Sequence, residues 1–128
     1  MKRLIIEQSN DEFYTSHSGL ALAGACINRH SDLGRQVGRL SRGGGQIADI
    51  DILRSYLGLL CLGKSDFQAI TGMRDDDFFQ QALGIGRVPS TERLRQRLDE
   101  AAADGLIPLV FRSSQSMLKQ LSVKVSGY

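Results

Sequence analysis

The chain has 128 residues, 41% of them hydrophobic and 23% charged, enough for one domain with a modest core and too few for two sizeable ones. Its 16 Lys and Arg oppose 14 Asp and Glu, leaving a net charge of +2, so overall basicity does not mark a nucleic-acid binder; such a role must rest on where the arginines fall. Cys26 and Cys61 lie far apart, with no His or Cys at zinc-ligand spacing, and read as buried reduced thiols of an intracellular protein.

Leu4-Ile5-Ile6 is too short for the apolar core of a signal peptide. Lys2 to Gln8 reads as a short strand, β-branched at Ile5 and Ile6. Ser18 is expected to cap a helix from Gly19 to about Asn28, whose small residues permit close packing. Residues 31–46 follow as a flexible basic connector: Gly34, Gly38 and Gly43-Gly44-Gly45 argue against a helix, and Arg35, Arg39 and Arg42 are opposed only by Asp32.

A strong helix is predicted from Ile47 to Leu62, apolar nearly all round and hence central, with Asp49 and Asp51 suited to its first turn and Gly63 to its end. Arg54, Ser55 and Asp51 interrupt its apolar run, which falls short of a membrane span. Ser65 is expected to cap a short helix through Ile70, and another runs from about Asp75 to Leu83 with Gly84 as its stop. Pro89 then separates the elements, Ser90 caps a helix with Leu94 and Leu98 on its apolar stripe, and Gly105 follows its end near Asp104. Leu106 to Phe111, holding Pro108, reads as irregular or edge-like, Ser114 to Leu121 as a short helix, and Leu121, Val123 and Val125 as the start of a strand.

The candidate sites are few. Asp75-Asp76-Asp77 resembles a cation cluster, but consecutive helical residues splay about 100° apart, so capping is the better account. Gly43-Gly44-Gly45 lacks the flanking residues of a phosphate loop and reads as a hinge. His17 and His30 join no nucleophile or acid at catalytic spacing. In RVPSTERLRQRLDE, Arg95 has Glu92 and Asp99 within helical reach and Arg97 has Glu100, whereas Arg93, in the first turn near Thr91 and Arg87, has no such partner.

Three stretches taken in order carry a resemblance. They are Leu-Gly-x-x-Cys-Leu-Gly-Lys-x-Asp-Phe from Leu57, Arg-Asp-Asp-x-x-Phe from Arg74, and Pro-Ser-x-x-Arg-Leu-x-x-Arg-Leu from Pro89. The set resembles the N-terminal region of a bacterial insertion-sequence transposase of the thirteen-eighty family, within the DDE superfamily. The resemblance implies one mainly α region over residues 1–128, with short strands near both termini and without the RNase H-like catalytic core. It implies binding of double-stranded DNA at the element's terminal inverted repeats, through Thr91, Arg93, Arg95 and Arg97 and through Arg35, Arg39 and Arg42. No catalytic residue, metal ligand or cofactor is expected in this chain; Mg²⁺ belongs to the missing core, where two ions would drive phosphoryl transfer. Further expectations are a cytoplasmic, nucleoid-associated location, no membrane, and pairing with its own copies or an intact transposase. The alternatives are a non-functional remnant exposing apolar surface, or a self-associating interaction module.

Overall fold

The computed structural model describes residues 9–12, 14–40 and 46–120, which hold six α-helices and one 3-10 helix. The α-helices are α1 (Leu20–Arg29), α2 (Leu33–Leu40), α3 (Asp49–Cys61), α4 (Asp77–Leu83), α5 (Thr91–Ala103) and α6 (Leu106–Gln120); the 3-10 helix, Phe67–Met73, lies between α3 and α4. The protein is mainly helical. There is no strand among the described residues, and the strands expected at 2–8 and from Leu121 lie outside them.

Helix α3 is central because it is apolar on more than one side. Ile52 and Leu59 pack into one core with Ile70, Phe79, Leu83 and Leu94, drawing in α1, the 3-10 helix, α4 and α5. Leu53, on another face, meets Leu33, Val37 and Leu109 in a second core beneath α2 and α6. The predicted helix ends hold: Gly63, Gly84 and Gly105 adopt φ values of +71°, +69° and +92°, the left-handed conformation that closes a helix without a Cβ clash.

Helices α1 and α4 touch backbone to backbone at Gly24. A Cβ on Gly24 would stand 1.7 Å from the carbonyl oxygen of Ala82, so the two helices could not lie this close with any larger residue there.

Five local expectations need correction. The supposed connector contains α2: Leu33 and Val37, one turn apart, are both buried, and that packing outweighs the roughly 1 kcal/mol each interior glycine costs. Leu106 to Phe111 opens α6; Pro108 stands in its first turn, where backbone N–H groups have no intrahelical acceptor in any case. The caps also differ. Ser18 makes no side-chain cap on α1, and Asp66, not Ser65, caps the 3-10 helix by accepting from the Gln68 N–H at 2.9 Å. Finally, the cysteines are free as expected, but Cys61 is exposed and Cys26 only half-buried.

Asp32 precedes α2 and bonds to a residue of that helix. Its carboxylate accepts from Gln36 Nε2 at 3.0 Å, and its pKa is lowered, chiefly by that bond and then by the buried Ser113 hydroxyl of α6. Asp32 Oδ1 and Ser113 Oγ form no hydrogen bond of normal geometry, so the Gln36 bond is the firmer of the two causes.

Two stability measurements follow. Gly24→Ala should destabilise by at least the 1–3 kcal/mol typical of overpacking, read as a lower urea midpoint, because the obstacle is backbone. Since the folded state depresses the pKa of Asp32, its contribution is present above the unfolded value of about 4 and is lost as pH falls through the folded one. Asp32→Asn should therefore melt below the parent chain at neutral pH, and the gap should close in acid.

Candidate nucleic-acid interface

The loop between α4 and α5 is pinned by its apolar residues. Ile85, Val88 and Pro89 are buried, which leaves Arg87 on the outside between them. The Arg87 backbone N–H reaches Asp51 Oδ2 of α3 at 3.3 Å, fixing where the side chain leaves the loop. Ser90 then starts α5, its hydroxyl accepting from the Arg93 N–H at 3.2 Å, and Arg93 stands in the first turn as predicted.

A third arginine joins these two. Arg74 closes the 3-10 helix, exposed, with its carbonyl accepting from Gln80 Nε2 at 3.1 Å. Arg74, Arg87 and Arg93 line one shallow dip together with Gln46, Ile47, Val88 and Ser90. A second dip adjoins it across Arg74, Arg87 and Val88, bordered by Thr71, Asp75, Gln80 and Gly86. No ion pair joins any of the three arginines to another described residue; Arg93 reaches only Gln96 Oε1, at 3.5 Å. The N-terminus of α5, with its partial positive charge, opens onto the same surface.

The other arginines have different surroundings. Arg97 turns inward to Asp49 of α3 and also pairs with Glu100 at 2.8 Å; the bond to Asp49 holds its pKa above even the usual arginine value. The Glu100 partner was predicted from helical spacing, whereas Asp49, 48 positions away, was not. Arg95 pairs with neither Glu92 nor Asp99 and instead lies 5.8 Å over the centre of the Phe67 ring, a cation–π arrangement. Phe67 in turn packs against Tyr56, ring centres 5.8 Å apart. Thr91 sits 3.2 Å from the Thr71 hydroxyl. Arg35 is exposed on α2 and does not line the arginine dip; the Arg39 side chain, Arg42 and Gly43 to Gly45 lie outside the described residues.

Asp76 caps α4 by accepting from the Phe79 N–H at 3.0 Å, as capping required, and His17 Nε2 stands 3.8 Å from its other oxygen. His30 is buried. Among the described residues no three His, Cys, Asp or Glu are placed to hold a metal ion, and no helix is long and apolar enough to cross a membrane.

Sequence reasoning missed Arg74 and Arg87 as site residues. Arg74 stood only as the start of a motif and Arg87 only as a neighbour of Arg93; the tertiary fold brings residues 74, 87 and 93 to one surface. No family model, curated protein or solved structure matches the chain.

The inward pair has a measurable weight. Arg97→Met should lower stability by about 1 kcal/mol in a urea titration, the upper range for a partly exposed ion pair, because it leaves Asp49 without its partner. Arg93→Met should leave the midpoint unchanged.

Proposed function

We propose that this chain binds double-stranded DNA through Arg74, Arg87 and Arg93, as the N-terminal DNA-binding region of a thirteen-eighty-family insertion-sequence transposase. The observation that carries the reading is the gathering of three arginines, none ion-paired with another described residue, on one surface at the start of α5. A guanidinium offers a planar fork of donors suited to phosphate oxygens. The α5 N-terminus adds a favourable field for the same anions. Phosphate contacts by Arg74 and Arg87 supply affinity, and Arg93, in the first turn of α5, reaches base edges to supply preference among sequences. The target in this reading is the terminal repeat of the mobile element, and the ordered motifs from Leu57, Arg74 and Pro89 support it. Arg97 takes no part, because Asp49 and Glu100 already hold it.

Fluorescence anisotropy with terminal-repeat and scrambled duplexes, across a salt series, tests this. Two phosphate contacts give a log–log slope of about −1.8, and replacing Arg74 or Arg87 with glutamine should flatten it by about 0.9, whereas Arg93→Gln should shrink the preference for the terminal repeat over the scrambled duplex. Arg97→Gln should change neither. A flat slope in the parent chain defeats the reading. In that event self-association is the second reading, favoured by Ile107 and Phe111, one turn apart on α6 and 73% and 64% exposed. It predicts a sedimentation coefficient that rises with concentration and ceases to do so in Phe111→Asp.

A further inference from the structure

Resting on the DNA reading above, we infer that Asp51 is the positioning residue of the arginine surface: its buried carboxylate fixes the loop that presents Arg87.

Asp51 is 7% exposed, in the first turn of α3. An ordinary first-turn aspartate faces water and offsets the helix dipole. This one points into the fold, where Oδ2 accepts from two successive backbone N–H groups, Gly86 at 3.1 Å and Arg87 at 3.3 Å. Two neighbouring N–H groups converging on one oxygen form the kind of backbone concavity that binds anions, here filled by the protein's own carboxylate. The approach is tight: a Cβ on Gly86 would meet Asp51 Oδ2 at 3.2 Å.

Two further side chains complete the grip. Arg54, one turn along α3, has Nη1 3.5 Å from Asp51 Oδ1 and donates it to the Gly84 carbonyl at 2.9 Å. Its Nε donates to Asn28 Oδ1 of α1 at 2.9 Å, and Asn28 Nδ2 donates to the Leu83 carbonyl at 2.8 Å. Thus Asn28, Arg54 and Asp51 hold the backbone at residues 83, 84, 86 and 87 in sequence. These bonds span 30 to 55 positions of chain and end on the residue whose side chain joins Arg74 and Arg93. Arg54 is partly buried with its guanidinium engaged in this network, while Arg87, held only through its backbone, keeps its guanidinium available. A buried carboxylate bound to main-chain donors is costly to disturb, because removing it strands both N–H groups and the Arg54 cation.

The test is a double-mutant cycle on the full chain, with duplex DNA anisotropy across salt and amide hydrogen exchange of the free protein. Asp51→Ala, which removes the acceptor altogether, should weaken DNA binding by the same factor as Arg87→Gln and flatten the slope by the same amount, about 0.9. The double variant should bind no more weakly than either single one. In the free protein, exchange at Gly86 and Arg87 should rise by about tenfold while the α6 amides stay protected. If Asp51→Ala does not fold, Arg54→Lys carries the same cycle, since it keeps the charge but loses the fork that bridges Gly84 and Asn28. Additive losses in the double variant overturn the positioning role, as does unchanged exchange at Gly86 and Arg87. A parent chain with no salt-dependent DNA affinity overturns the DNA reading itself, and with it the role assigned to Asp51, whatever exchange shows.

Discussion

The rest of the structure depends on how closely α1 lies against α4. With a hydrogen in place of a side chain at Gly24, the α1 backbone comes up to the Ala82 carbonyl. Asn28 lies one turn further along the same face of α1, and this approach brings its amide within reach of the Leu83 carbonyl. Arg54 and Asp51 can then close on Gly84, Gly86 and Arg87 from α3. A van der Waals contact between two helices thus sets the reach of a polar network, and that network sets the path of the next loop.

The arginines divide into those that hold the fold and those that face outward. Arg54 and Arg97 join segments distant in sequence, and Arg95 covers an aromatic ring. Of the other arginines with described side chains, Arg74, Arg87 and Arg93 share a surface, whereas Arg29, Arg35 and Arg112 stand on α1, α2 and α6. A net charge of +2 therefore understates the local field, because acids such as Asp49 and Asp51 are drawn into the helix seams with the structural arginines.

What the sequence revealed was local. The Ser90 cap, the Asp76 cap and the three helix-ending glycines each follow from interactions within a few residues, and all are present. The central place of α3 followed from its apolar residues on several sides. What stayed hidden was set by distance or by packing. Glycine content argued against α2, but Leu33 and Val37 find partners on α3 and α6 that no short window contains. Asp51 looked like a dipole-compensating surface acid because Gly86 is 35 positions away. The candidate surface was half visible: Arg93 had a local signal in its missing helical partner, whereas Arg74 and Arg87 gain meaning only once the 3-10 helix and the α4–α5 loop are folded beside it.

The glycines of α1 and α2 differ in a way that bears on how this sequence can drift over evolutionary time. Nothing lies within 4 Å of where a side chain would emerge at Gly34 or Gly38, so α2 can exchange either for alanine and gain helical preference without touching a neighbour. Gly24 has no such freedom. Divergent descendants of this chain should therefore lose the glycines of α2 early and at random, while the α1 glycine persists, and a comparison of the two rates would distinguish selection on the helix seam from mere compositional habit.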